Sequence, residues 1–237
     1  MKKCSFNKIK TVRVNNFSVD SSCSINDCKI DSNSIIKTHC YLKNSIIGKN
    51  CVIENGCYLE DCEIQDNVII KHNCAIKNTL IKNNGIILSS NISDSVIGKE
   101  TLIGPFARIR ENTSVGSFVK IGNFVEIKNS SVGDETKISH LAYVGDAIVG
   151  EKCNIGCGVV FVNYNGKIKQ KTIVKNNSFI GCNCNLIAPV TIEKNTYICA
   201  GTTVTSNVEE FDFVIGRNKQ ENKKGLAKKY LKEIVND

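Results

Sequence analysis

An aliphatic residue returns at every sixth position through most of this chain, with occasional steps of five. The series runs from Val19, Ile25, Ile30, Ile36, Leu42 and Ile47 through Ile103, Ile109, Val115, Ile121 and Ile127 to Ile192, Ile198 and Val204. Gly often follows it, as in Ile103-Gly104, Ile121-Gly122, Val144-Gly145 and Ile155-Gly156. A period of six is neither the 3.6 of a helix nor the 2 of a flat strand. It fits a solenoid whose short strands each end at a corner, with one aliphatic side chain per side turned inward. Three sides make a triangular coil of about 18 residues, and the tract from Val19 to Val204 then holds about ten coils.

Composition agrees with such a core. Aromatics are 6% and Trp is absent, while 41% of the residues are hydrophobic, so the interior is built from Ile and Val, which favour strands. There are thirteen cysteines. Nine of them (Cys23, Cys28, Cys40, Cys51, Cys57, Cys62, Cys74, Cys153 and Cys184) stand two residues before an aliphatic position. In a pleated strand that offset also points inward, where a thiol serves as a small hydrophobe. No Cys-x-x-Cys pair occurs, and no metal is expected.

The N-terminus has no apolar run of the export type, and no stretch approaches about 18 consecutive apolar residues. The expected compartment is the cytoplasm, where cysteines stay reduced. The net charge of +8 includes a basic cluster near the C-terminus. Without interleaved aromatics this does not point to nucleic acid; a solvated face or an anionic small ligand accounts for it.

Three segments leave the period. Residues 1–17 precede it as an irregular lead-in, so the solenoid domain is expected over 18–208. Asn163 to Lys171 is a polar insertion, expected as a loop thrown out from a corner, the kind of place where function resides. Within a C-terminal arm of 209–237, Gln220 to Val235 places Leu226, Tyr230 and Ile234 at i, i+4 and i+8, which predicts an amphipathic helix.

Of the three histidines, His39 and His72 read as surface or corner residues. All three lie too far apart along the axis for the shared zinc site of a γ-class carbonic anhydrase. His140 has richer surroundings. Arg110 and Lys128 are eighteen residues apart and expected to stack one coil above the other. Stacked cations repel, so a bound dianion such as a sugar phosphate would account for them; two solvated charges relieved by Glu111 or Glu126 would also do so.

The runs Gly104-Pro105-Phe106-Ala107-Arg108-Ile109-Arg110, Gly122-Asn123-Phe124-Val125-Glu126-Ile127-Lys128 and His140-Leu141-Ala142-Tyr143-Val144-Gly145-Asp146 resemble one family. So do Asn154-Ile155-Gly156, Asn163-Tyr164-Asn165-Gly166, Ala188-Pro189-Val190-Thr191 and Ala200-Gly201-Thr202-Thr203-Val204-Thr205. Together they look like the C-terminal half of the bifunctional N-acetylglucosamine-1-phosphate uridyltransferase/glucosamine-1-phosphate acetyltransferases, closely over residues 97–220. The resemblance implies an all-β, left-handed parallel β-helix that transfers acetyl from acetyl-CoA to glucosamine 1-phosphate.

It further implies roles. His140 would be the general base, oriented or polarised by Glu126. Arg110, Lys128 and Lys169 would hold the sugar phosphate, and Tyr143 and Asn154 the sugar. Asn163, Tyr164, Cys157, Cys182, Ala200 and Arg217 would meet acetyl-CoA, and the site would form between subunits of a homotrimer. Departures are Glu111 where relatives carry Pro, and Cys157 and Cys182 where they carry Ala and Ser. With the solenoid starting near residue 18, no nucleotidyltransferase domain is expected in this chain and no uridyl transfer; a separate uridyltransferase chain is one candidate partner, and the sequence does not decide whether there is one. Two alternatives remain open: another amino-sugar phosphate or sugar nucleotide as acceptor, or a non-catalytic scaffold for a uridyltransferase chain.

Overall fold

The computed structural model describes residues 12–13 and 17–231, and they form a parallel β-solenoid with three faces, a hexapeptide-repeat left-handed β-helix. The first face is a twelve-stranded sheet running from Ser18–Val19 to Phe213–Val214. The second carries Arg108–Arg110, Glu126–Lys128, Tyr143–Gly145 and Val160–Val162, and the third Thr113–Val115, Ser131–Val132, Ala147–Val149 and Thr172–Val174. These two faces join into one sheet because Ala75–Ile81 and Asn91–Ile97 run unbroken around the corner between them.

The period of six becomes structure through the strands' shortness. Most are two or three residues long. The aliphatic residue points inward and its neighbours out. Ile47, Ile53, Ile103, Ile109, Ile121, Ile127 and Val144 are all fully buried. Between strands the chain must turn sharply, and the corner residue repeatedly adopts left-handed backbone, φ 54° at Asn50, 58° at Asn67 and 60° at Asn84. Asn tolerates that region because its short amide can bond locally. Here the amides bond along the axis: Asn33 donates to Asn50 (3.2 Å) and Asn50 to Asn67 (3.0 Å).

The coil is shorter than expected. Ile36 faces Ile53 and Ile53 faces Ile70, seventeen residues apart. Most steps of five fall at the corner between the second and third faces, as from Leu42 to Ile47 and from Val144 to Val149, whereas Ile87 to Ile92 crosses from the first face to the second. The described residues hold about twelve coils, eleven of them between Val19 and Val204, where ten were expected. The coil also begins earlier and ends later than the expected boundaries, since Val12–Arg13 pairs with Lys29–Ile30 and Phe213–Val214 with Tyr197–Ile198.

Of the nine cysteines expected inside, eight are buried and Cys23, near the N-terminal end, is half-buried. Their thiols donate to carbonyls of the next coil, Cys40 to Glu54 (3.1 Å) and Cys57 to Lys71 (3.1 Å). Burial pushes the Cys62 thiol up to about 12. Buried and bonded to carbonyls, they serve as fillers of the core.

The expected C-terminal helix is not formed over the described residues. Only Leu226–Lys229 makes a 3-10 turn, with Leu226, Tyr230 and Leu231 exposed; Ile234 and Val235 lie outside the described residues. Gly225, in left-handed backbone at φ 75°, interrupts the run, and an apolar stripe with nothing to pack on does not sustain a short helix. Among the described residues, no helix is long and apolar enough to cross a membrane.

Candidate functional site

Two corners flank the strand Tyr143–Gly145. At the corner entering it, the first-face strands Lys120–Asn123 and Lys137–His140 pair in register, with Asn123 opposite His140. His140 is exposed, and its Nδ1 lies 2.7 Å from Oδ1 of Asn123. With that oxygen accepting, Nδ1 carries the proton and Nε2 keeps a free lone pair. Gly122 makes this close stacking possible: a Cβ there would stand 1.9 Å from the Ser139 carbonyl oxygen.

The same corner continues up the solenoid. Gly158 N–H donates to Leu141, Asn183 N–H to Cys157 and Gly201 N–H to Cys182, and Arg217 Nη1 donates to the Ala200 carbonyl at 3.1 Å. His140, Cys157, Cys182 and Ala200 thus form one column over four coils, with Arg217 at its far end. Cys182 and Ala200 are exposed and Cys157 is half-buried. In the other direction the corner carries Phe106, Phe124 and Leu141. These are 59%, 56% and 56% exposed and all in left-handed backbone, with the two Phe rings stacked at 5.6 Å.

At the corner leaving the strand sits a charged cluster. Arg110 pairs in register with Lys128, as the eighteen-residue spacing predicts. Lys128 is almost fully buried, with Asp146 Oδ2 at 3.7 Å and Glu111 Oε2 at 3.5 Å. Burial pushes the Asp146 carboxyl up, but hydrogen bonds from Asn129 and Asn163 and the charges of Lys128 and Lys169 outweigh it. The carboxyl is held below the usual range. Asn129 donates to Asp146 Oδ1 at 2.6 Å, and Asn163 donates to Oδ2 and lies 3.5 Å from the Tyr143 hydroxyl. Tyr143 folds over Gly145, where a Cβ would come within 2.5 Å of the hydroxyl.

The insertion Asn163–Lys171 is an ordered hairpin. Tyr164 and Lys169 pair as an antiparallel bridge, Gly166 turns at φ 91°, and Asn165 Oδ1 accepts from the backbone of Lys167 and Ile168. The turn brings Lys169 back onto Lys128. Lys128 and the charge on it push the Lys169 ammonium below the ordinary lysine range. Such a pair of cations holds an anion better than either alone.

Arg110, Lys128, Lys169, Tyr143 and Asn163 therefore meet at one corner and His140, Cys157, Cys182, Ala200 and Arg217 at the other. Asn154 starts a first-face strand opposite Lys137 and Phe179, and Tyr164 is exposed on the hairpin. The expected partnership of Glu126 with His140 is not made within the chain. Glu126 stands opposite Tyr143, and its Oε1 accepts from Arg110 Nε (2.9 Å) and Nη2 (2.7 Å), while Asn123 holds the imidazole. Asn123, Asn129 and Asp146 went unread. Once the coil is known to be seventeen, Asn123 is one coil below His140, and Asp146 one coil from both Asn129 and Asn163. Among the described residues no three His, Cys, Asp or Glu side chains gather as a metal site would require.

Residues 44–78 and 171–206 match the family model described as bacterial transferase hexapeptide (six repeats), and residues 92–160 match the GMPPB C-terminal domain. The chain is a hexapeptide-repeat β-helix. The bifunctional protein GlmU of Clostridium kluyveri is 57% identical over 146 residues, covering 61% of this chain and 32% of that protein. GlmU of Clostridium botulinum (strain Kyoto / Type A2) is 50% identical over 211 residues, 86% of this chain and 39% of that protein. The sequence is thus similar to the acetyltransferase half of this bifunctional family, and the chain spans about two fifths or less of these relatives' length. A solved structure, UDP-N-acetylglucosamine acyltransferase of Arabidopsis, aligns over 81% of this chain and 69% of that one, at 14% identity and a TM-score of 0.40.

Proposed function

We propose that this chain is an acetyl-CoA-dependent N-acetyltransferase that converts glucosamine 1-phosphate to N-acetylglucosamine 1-phosphate. The observation that carries the reading is the disposition of an imidazole and an anion seat at opposite ends of one short strand. His140 stands at one end of Tyr143–Gly145 and the Arg110–Lys128 pair at the other.

In this reading Arg110, Lys128 and Lys169 take the phosphate, and Tyr143 and Asn154 the sugar. Asp146 and Asn163 hold Lys128 and Tyr143 in place. The column Cys157–Cys182–Ala200 lies beside the acyl donor, with Arg217 against its phosphates. The sugar amine attacks the thioester carbonyl and His140 Nε2 takes its proton as the N–C bond forms. The C–S bond then breaks, and the thiolate leaves with that proton to restore the neutral imidazole. Asn123 keeps the proton of Nδ1 in place, so Nε2 is the basic nitrogen throughout. Glu126 acts through Arg110.

The working form in this reading is a homotrimer whose sites lie between subunits. Phe106, Phe124 and Leu141, all more than half exposed beside the His140 corner, support it, since contiguous apolar side chains of this size mark contact surfaces. Tyr164 and Lys169, on a hairpin that projects from the coil, are placed to serve either their own subunit or a neighbour.

The test is acetyl transfer to glucosamine 1-phosphate followed by mass spectrometry of the product, wild type beside His140→Ala. A thiol-colour assay would be confounded by the cysteines. Turnover should fall by about 10²-fold or more in the variant. Folded, acetyl-CoA-binding wild type that makes no product would overturn the reading.

A further inference from the structure

Glu111 has no role in that reading, yet it sits at the centre of the charged corner. Ile92 faces Ile109 and Ser95 faces Thr113, so two residues of one coil, Ser93 and Asp94, oppose three of the next, Arg110 to Asn112. In coils on either side this corner holds a single short Asn or Asp, and these bond to one another along the axis: Asn44 to Asp61, Asn78 to Asp94, Asn129 to Asp146. At the lengthened corner Glu111 and Asn112 both take left-handed backbone, φ 54° and 56°, a region that Glu rarely adopts. The longer side chain turns back over the site. Its Oε1 ion-pairs with Arg110 Nη1 and its Oε2 lies 3.5 Å from Lys128 Nζ. One carboxylate thereby bridges the two cations, although Glu111 is itself half exposed.

We propose that Glu111 is a built-in competitor for the anionic group of the substrate: its carboxylate occupies the seat between Arg110 and Lys128, and a bound phosphate must displace it. The proposal rests on the reading that these two cations are the phosphate seat. A phosphomonoester carries a charge of about −1.5 to −2 at neutral pH and offers three acceptor oxygens, against one charge and two oxygens for Glu111. It therefore displaces the carboxylate, whereas a singly charged phosphodiester does so poorly. Glu111 thus sets a threshold that favours sugar monophosphates over diesters, at the expense of affinity for both.

Displacement is open to Glu111 because its corner is solvated, whereas Asp146, buried and bonded to Asn129 and Asn163, stays with Lys128. The experiment compares wild type with Glu111→Gln and with Glu111→Asn, the second because Asn accepts left-handed backbone. Thermal melts establish that each is folded, and at least one folded variant suffices. Inorganic phosphate and glucosamine 1-phosphate should bind about 5- to 50-fold more tightly to the variants, the scale of one charge-assisted contact. KM for glucosamine 1-phosphate should fall alongside, with kcat within about twofold. The preference for glucosamine 1-phosphate over its methyl phosphodiester should shrink. Unchanged or weaker phosphate binding in a folded variant would overturn the proposal.

Arg110→Ala separates the two failures. If it abolishes phosphate binding while the wild type acetylates nothing, the catalytic reading fails and the competitor stands. If it binds phosphate as the wild type does, the seat is elsewhere and the competitor fails with it.

Discussion

One column of side chains can be followed through both halves of the solenoid. In the N-terminal coils it reads Lys43, Glu60, Lys77, and after Ser93 it reads Arg110, Lys128, Gly145. In the first half the sign alternates. Glu60 lies 3.0 Å from the ammonium groups of both Lys43 and Lys77 and accepts from the Tyr58 hydroxyl at 2.8 Å. A neighbouring column repeats the pattern, with Glu54 between Lys37 and Lys71. In the second half cation stacks on cation, and the acids that relieve it (Glu126, Glu111 and Asp146) come from beside the column. Where only the coil matters, stacked charges cancel. Where like charges meet and one of them, Lys128, is buried, something besides folding has set the pattern. Lys120 and Lys137 also stack in register, but both are exposed; it is the burial of Lys128 beside Arg110 that sets this corner apart.

Core substitutions should have the largest effect and separate the halves by readout. Ile76→Ala and Ile127→Ala each remove a fully buried side chain and should cost about 2–5 kcal/mol in chemical denaturation. Ile127 lies between Glu126 and Lys128, so only its variant should also lose acetyl transfer beyond the loss of folded protein. Equal activity losses in the two would argue that the coils act as one unit.

The next largest effect is on binding. Arg110→Ala should lower kcat/KM for the sugar phosphate by about 10- to 100-fold, the scale of a charge-assisted hydrogen bond. Lys77→Ala, in the same column, should stay within about twofold. A comparable loss from both would erase the distinction between the halves.

The smallest effect belongs to the alternating ladder. Lys77, Tyr58 and Lys43 together hold the Glu60 carboxyl down to about 2. A depressed folded-state pKa contributes stability that is present above about 4.5 and lost as pH falls towards 2. Glu60→Gln should therefore lower the melting temperature slightly at neutral pH, by the equivalent of about 1 kcal/mol or less. It should narrow the gap from wild type as pH drops through that window. A gap independent of pH would mean that the ladder acts by packing and not by charge.

Much of this was legible before any coordinates. The inward aliphatic positions, the buried thiols at the −2 offset, the Asn163–Lys171 excursion and the Arg110–Lys128 stack all follow from spacing. The C-terminal helix was misread because Leu226 and Tyr230 have the right intervals but no surface to cover them in the described chain, and Gly225 breaks the run. The intrachain contacts of His140 and Glu126 were not legible for another reason. Both residues sit near corners, where one residue more or less decides which neighbour lies above.

The sequence by itself determined the repeat, because a buried aliphatic residue every five or six positions is a local demand that each short strand meets independently. Tertiary structure alone decided the length of each coil, seventeen residues for most, sixteen from Ile76 to Ile92, eighteen where Glu111 enters and again from Val174 to Ile192, and twenty-five where the hairpin is inserted, and with it which side chains share a column. That choice is collective: strands about 4.8 Å apart must keep their hydrogen bonds in register across all three faces. Only when the coils close does Asn123 come to lie beneath His140, Glu126 beneath Tyr143, and Glu111 across the two cations.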